Sequence, residues 1–163
     1  MLAIRPCTDA DWASVWAILA PIFRAGETYG VATDIAEGEA YATWVTKPTA
    51  TCVAADEGGH ILGTYFLKPN HEGPGAHVAN CGYAVAEAAR NQGVARAMCR
   101  HSQAAAVARG FRAMQYNFVA ATNAPAVRLW QAEGFAVVGT LPGAFRHPRH
   151  GFVAAYVMYK TLI

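Results

Sequence analysis

Asn80-Cys-Gly-Tyr-Ala-Val-Ala-Glu-Ala-Ala-Arg-Asn-Gln-Gly-Val-Ala-Arg-Ala97 is the stretch whose reading decides the fold. Its first part, Asn80 to Ala86, is a small-residue strand. After a short connector, Arg90-Asn91-Gln92-Gly93 leads into an alanine-rich segment of helical period. A strand, a turn and a helix start therefore follow one another directly. The first N–H groups of a helix have no partner inside it and carry the positive end of its dipole, so they hold a phosphate with few basic side chains. Gly93 has no side chain to keep an anion away, and Ala95 and Ala97 are nearly as small. A lone glycine at such a turn is more often a plain helix start than a ligand site, so the turn needs a companion motif. The chain has no Gly-x-x-x-x-Gly-Lys-Ser/Thr and no Gly-x-Gly-x-x-Gly, which removes the P-loop and the dinucleotide fingerprint.

The companion is Asn123-Ala-Pro-Ala-Val-Arg-Leu-Trp-Gln-Ala-Glu-Gly-Phe135, a short helix with Asn123 at its mouth and Gly134 closing it. Together, Arg90-x-x-Gly93-x-Ala95 and Asn123-x-x-Ala126-x-x-Leu129-Trp130-x-x-x-Gly134-Phe135 resemble the GCN5-related N-acetyltransferase (GNAT) family. The first motif is similar to that family's pyrophosphate loop and the second to its coenzyme A-side helix. The resemblance extends over most of the chain, strongest from His77 to Phe135 and weakest before Thr51.

That resemblance implies an α/β fold of mixed α+β type in a single N-acetyltransferase domain over residues 1–163, with acetyl-CoA as co-substrate and no metal. It implies a mostly antiparallel central sheet, splayed between two parallel strands, with helices on both faces. It places the coenzyme against Val85, Arg90, Gln92, Gly93, Val94, Ala95, Arg96, Asn123 and Trp130. The Val85 N–H takes the thioester region, and the N–H groups from Gln92 to Arg96 take the pyrophosphate. Trp130 departs from the pattern, since many members carry a tyrosine there whose phenol returns a proton to the leaving thiolate. An indole N–H is no acid at neutral pH, which leaves that step unassigned.

Composition agrees with one domain. The chain has 163 residues, 54% of them hydrophobic and 15% charged, enough for a buried core and against disorder. A net charge of +2 supplies no basic block for a nucleic acid. The one dense basic run, Arg146-His147-Pro148-Arg149-His150, reads as a solvated loop. No apolar run reaches the roughly 20 residues of a membrane span. Cys7, Cys52, Cys81 and Cys99 form no C-x-x-C pair and follow no signal peptide, so they read as reduced packing thiols of a cytoplasmic protein. His71-Glu72 lacks the rest of an H-E-x-x-H motif.

Taken in order, Leu2 to Pro6 reads as a strand, and Thr8 or Asp9 caps a helix carrying Trp12, Val15, Trp16, Leu19 and Ile22. Arg24 to Gly30 breaks that helix, and a second runs from about Ile35 to Val45. Strands at Thr51 to Asp56 and His60 to Leu67 form a hairpin through Glu57-Gly58-Gly59. A polar loop, Lys68 to Gly75, precedes the strand from about Ala76 to Ala86 and the helix from about Gly93 to Arg109. In that helix His101 reads as a packing residue. A strand from Ala113 to Val119, the Asn123 helix, and strands at Phe135 to Leu141 and Phe152 to Thr161 complete the chain. Pro142 to Gly151 reads as their loop.

The acceptor side is read less directly. In acetyltransferases of this type the segment between the first two helices walls the acceptor pocket, which brings forward Glu27 and Tyr29; a stray acid on an exposed loop is the simpler reading. Asn80 and Asn117 lie on the two strands that would splay. With Asn123 they resemble acetyltransferases acting on proline analogues such as azetidine-2-carboxylate, in which strand asparagines hold a small imino acid; buried asparagines also serve as structural partners. Asn80, Asn117 and Glu27 are thus the candidates for catalysis, with no evident general base; Glu87, close to the pyrophosphate turn, and His77 stand beside Glu27 for that role. The expected acceptor is a small amine, such as an amino acid or its analogue. A protein N-terminus or lysine, and an acyl-CoA-binding module without turnover, stay open. A homodimer through the C-terminal strands is a further expectation.

Overall fold

A computed structural model describes residues 1–163. Seven strands form one sheet in the order β1-β2-β3-β4-β5-β7-β6. The strands are β1 Ala3–Pro6, β2 Ala50–Ala55, β3 Ile61–Pro69, β4 Val78–Val85, β5 Ala113–Ala120, β6 Ala136–His147 and β7 Gly151–Thr161. Every neighbouring pair is antiparallel except β4 and β5, which run parallel. Four helices complete the fold: α1 Trp12–Ala25, α2 Glu37–Tyr41, α3 Val94–Ala108 and α4 Ala124–Ala132. The element order and mixed α/β class are those expected.

Strand alternation divides the core between two faces. Cys52, Ala54, Tyr65, Leu67, Met114 and Met158 meet α3 and α4 through Met98, Cys99 and Trp130. Val53, Phe66 and Ala84 point the other way, onto Val15, Leu19 and Phe23 of α1 and Ala40 of α2. Trp44 completes that second face; its indole donates to Thr64 Oγ1 at 3.1 Å, and Thr64 Oγ1 donates to the Cys52 carbonyl at 2.9 Å, so a buried polar group is satisfied. At the start of α1, Asp11 accepts from Arg5 through both oxygens at 2.7 Å and from the Thr8 N–H at 2.8 Å, tying β1 to the helix.

Three elements differ from the sequence reading. The second helix begins at Glu37 and continues past Tyr41 as a π-helical turn, Ala42–Thr46, that carries Trp44 into the core. On α3 the buried stripe is Val94, Met98, Ser102 and Ala106, while His101 sits at its margin with Nδ1 2.8 Å from the Tyr65 hydroxyl; partial burial lowers its pKa. The largest correction concerns Pro142 to Gly151. It is no loop: β6 continues to His147, pairing Phe145 with Val153 and His147 with Gly151 across irregular register at Leu141 to Phe145. The basic run is therefore the tip of a hairpin, and His147 within it is buried.

Candidate active site between two parted strands

β4 and β5 pair only at Val78 with Ala113 and Ala79 with Met114. Beyond this they separate. On its other edge β4 stays bonded to β3, with the Ala86 N–H on the Leu62 carbonyl and the Asn70 N–H on the Val78 carbonyl, both at 2.8 Å. The even-numbered residues of β4 thus address β3, and Cys81, Tyr83 and Val85 turn their N–H and C=O groups toward the gap. Unpaired backbone of this kind accepts an extended polar chain as a substitute strand.

The gap opens into a cleft of about 1070 Å³ that reaches both faces of the sheet. On the α3 side it is bordered by Gly93, Val94, Ala95 and Arg96 at the start of the helix. Gly93 caps α3 with φ 80° and ψ 3°, and a Cβ built there would meet nothing within 4 Å. The left-handed backbone favours glycine, and the missing side chain leaves the helix start uncovered. The first bond of the helix runs from the Ala97 N–H to the Gly93 carbonyl, so the N–H groups of Val94, Ala95 and Arg96 are bare of helical partners. No acidic residue stands in that first turn to compete with an anion. Arg96 and Arg100 both pair with Glu133 after α4, at 3.0 and 2.9 Å, which joins the two helices and holds the Glu133 carboxyl below its usual range.

Nearly all the sequence candidates border this one cleft: Glu27, Tyr29, Asn80, Val85, Arg90, Asn117, Asn123 and Trp130 join the turn residues. Gln92 does not; its side chain turns back to the Ala88 carbonyl at 2.8 Å. Glu87 and His77 also lie outside the lining. Asn123 occupies the N-cap position of α4, yet its side chain makes no capping bond and its amide stays free at the cleft.

The two strand asparagines are more committed than expected. Asn80 Nδ2 donates to the Gln115 carbonyl at 3.0 Å, bridging the strands where their ladder ends. Asn117 Nδ2 donates to Asn70 Oδ1 at 2.6 Å, and its oxygen accepts from Gln115 Nε2 at 2.9 Å. Tyr29 is likewise engaged: its phenol donates at 2.6 Å to the Tyr83 carbonyl, one of the groups facing the gap, and burial raises its pKa. These residues shape the cleft before any ligand enters.

Trp130 packs between Tyr83 and Tyr116, with ring centroids 4.9 and 5.1 Å away. The two phenols lie 3.0 Å apart, and Tyr83 also meets Ser102 Oγ at 2.7 Å. Burial pushes both phenols well above their usual range, so neither is a ready proton donor. Burial also pushes the Cys81 thiol up to about 12, which leaves it protonated and unsuited to nucleophilic attack. No group of three or more His, Cys, Asp or Glu side chains could hold a metal ion. No helix is long and apolar enough to cross a membrane.

Sequence reasoning missed the hairpin tip. His147, Arg149 and His150 all border the cleft, and Arg149 Nη2 lies 3.1 Å from Glu27 Oε1 across it. The one available signal was the charge density of the run, which local patterning assigns to solvent.

Comparison with known proteins agrees with this geometry. The profile described as the acetyltransferase (GNAT) family matches residues 12–135. N-acetyltransferase aca1 of Schizosaccharomyces pombe is 32% identical over 111 residues, which cover 68% of this chain and 53% of that protein. The chain therefore spans about half the length of this curated relative. A GCN5-related N-acetyltransferase from Kribbella flavida superimposes with a TM-score of 0.94 at 43% identity, covering 98% of this chain and 97% of the other. A phosphinothricin acetyltransferase from Sinorhizobium meliloti in complex with AcCoA shares the fold, with a TM-score of 0.86 at 20% identity over 98% of this chain and 88% of its own. The parted strands, the bare helix start and these matches lead to one assignment: the chain belongs to the acetyltransferase (GNAT) family.

Proposed function

We propose that the protein transfers the acetyl group of acetyl-CoA to the amine of a small molecule, an amino acid or an amino-acid analogue. The observation that carries this reading is the separation of β4 from β5 beside the uncovered N-terminus of α3. Backbone N–H groups of Val94, Ala95 and Arg96 hold the diphosphate, Asn123 contacts the coenzyme, and the inward groups of Cys81 and Val85, with the Tyr83 N–H, bind the pantetheine arm. In this reading the Val85 N–H stabilises the oxyanion that forms when a neutral amine attacks the thioester carbonyl. The nitrogen–carbon bond forms, the carbon–sulfur bond breaks, and a thiolate leaves, while the attacking nitrogen sheds its proton to solvent, from which the sulfur regains one. With a solution pKa near 8.5, that thiolate departs without a protein acid.

A small acceptor is favoured by what borders the far end: Tyr29 from the segment after α1, and His147, Arg149 and His150 of the hairpin tip. Similar folds named phosphinothricin acetyltransferase agree with such an acceptor. Free cysteines at all four positions accord with a reducing cytoplasm. Edge strand β6, exposing Val138 at 60%, favours a homodimer, which sedimentation at micromolar concentration would test. The functional test is release of free CoA over a panel of amino acids, proline analogues and phosphinothricin. Turnover of at least one is expected. Turnover of peptides alone would transfer the reading to a protein acceptor.

A further inference from the structure

We propose that Arg149 is the carboxylate anchor of the acceptor site, and that its ion pair with Glu27 holds the place of a zwitterionic amino acid. This rests on the acetyltransferase reading above and names the chemical class that the site selects. Glu27 is the only Asp or Glu bordering the cleft. Arg149 is its only Arg or Lys apart from Arg90 and Arg96, which stand at the α3 end, and Arg96 is engaged by Glu133. The acceptor end thus contains one fixed anion and one fixed cation, 3.1 Å apart.

The geometry of this pair differs from that of the other arginine pairs. Arg5 grips Asp11 with two nitrogens, and two arginines converge on Glu133. Those contacts tie one element of the fold to another. Arg149 gives Glu27 a single contact, Nη2 to Oε1, and its side chain remains 69% exposed, so most of its five N–H donors are free for a planar carboxylate.

Its backbone, in contrast, is held. The buried His147 ring accepts the Arg149 and His150 N–H groups on Nδ1 at 3.2 and 3.3 Å, and it lies 4.6 Å from the His150 ring. His147 is thereby a positioning residue that aims Arg149 over the cleft.

An entering zwitterion exchanges one ion pair for two. Its carboxylate takes the guanidinium fork, and its ammonium donates to Glu27 until the proton is lost. An amide or ester of the same amino acid must open the Glu27–Arg149 contact and leaves the guanidinium without an anion. Sites that lose a charged partner in this way discriminate strongly, so a preference for the free acid of at least about tenfold is expected.

The test compares each amino acid that the full-length protein acetylates with its primary amide and methyl ester, in wild type, Arg149→Met and Arg149→Lys. Coenzyme A affinity is followed by calorimetry to establish that each variant retains the other half of the site. The inference predicts that kcat/KM for the acid exceeds that for the amide at least about tenfold in wild type, mainly through KM. Arg149→Met should collapse the ratio toward one, and Arg149→Lys should recover part of it. A wild-type ratio near one, or an unchanged ratio in Arg149→Met, would overturn the carboxylate anchor alone. Failure of acids, amides and esters alike, with coenzyme A still bound, would overturn the small-amine reading and this inference with it.

Discussion

Asn80 Nδ2 lies 3.0 Å from the Gln115 carbonyl, at the point where β4 and β5 cease to pair. The side chain supplies the hydrogen bond that the ladder no longer makes, so the strands part without leaving that carbonyl uncompensated. Asn80→Ala should therefore cost about 1–3 kcal/mol of stability, the range for a buried acceptor left unpaired. A fork that closes or loosens also displaces the pantetheine path. The KM values for acetyl-CoA and for the acceptor should rise together, whereas a pure acceptor contact would move only the second. Denaturant melts and two-substrate kinetics separate these outcomes.

Gly93→Asp tests the helix start. The position has φ 80°, and a Cβ meets no neighbouring atom, so the folded chain loses about 1–2 kcal/mol from left-handed strain. An acid at a helix N-terminus recovers part of that. Coenzyme A affinity should nevertheless fall at least about tenfold, since the carboxylate occupies the approach to the bare N–H groups and repels the diphosphate. Calorimetry that finds wild-type affinity in a folded variant would remove the proposed diphosphate site.

Gly82→Ala should destabilise for a different reason. A Cβ there would fall 2.4 Å from Phe66 Cε1, and that ring is held edge-on to Trp44 at 4.9 Å. The ring cannot swing away freely, so overpacking of about 1–3 kcal/mol is expected. Thermal melts of the variant should show the loss, and Phe66→Leu in the same chain should restore part of it.

Much of this arrangement was legible along the chain. Periodicity placed all eleven strands and helices in order, and the Arg90–Gly93 turn and the Asn123 helix, singled out by their motifs, border one cleft. Local patterning failed where partners are distant. Whether Asn80 and Asn117 hold a ligand or the fold stayed open along the chain because their partners, Gln115 and Asn70, come from other strands and loops. The hairpin tip was misread because Pro142 and Gly143 punctuate β6 at an irregularity of register, and only pairing with β7 carries the strand through to His147. Glu27 and Arg149 then meet by tertiary packing that no spacing rule reports.

Acid stability should reflect two carboxylates. Asp11, held by Arg5, and Glu133, held by Arg100 and Arg96, both titrate below their usual values of 3.8 and 4.5. A depressed folded-state pKa contributes stability that is complete above the unfolded value and is lost as pH falls through the folded one. The unfolding midpoint should accordingly stay level from neutral pH to about 5 and decline below it. Glu133→Gln should lower the plateau and flatten the decline. An unchanged acid slope in that variant would assign the loss to other groups.

Trp130 bears on how sulfur regains its proton. Its ring fills the space between Tyr83 and Tyr116, both of which burial makes weaker acids. If the thiolate leaves unprotonated, no protein acid shapes the alkaline side of the rate profile. Trp130→Phe removes the indole N–H and part of the packing, at a cost of about 1–3 kcal/mol in stability. Its kcat should fall by less than about tenfold through looser packing, and the pH dependence of kcat should keep its shape. A loss of about a hundredfold or more, or a new alkaline limb, would instead assign the indole N–H or a neighbouring phenol to the departing sulfur. Because the phenols of Tyr83 and Tyr116 lie 3.0 Å apart, Tyr83→Phe and Tyr116→Phe measured alongside distinguish the two. A phenolic acid would disappear in one of these variants while an indole contact would survive both.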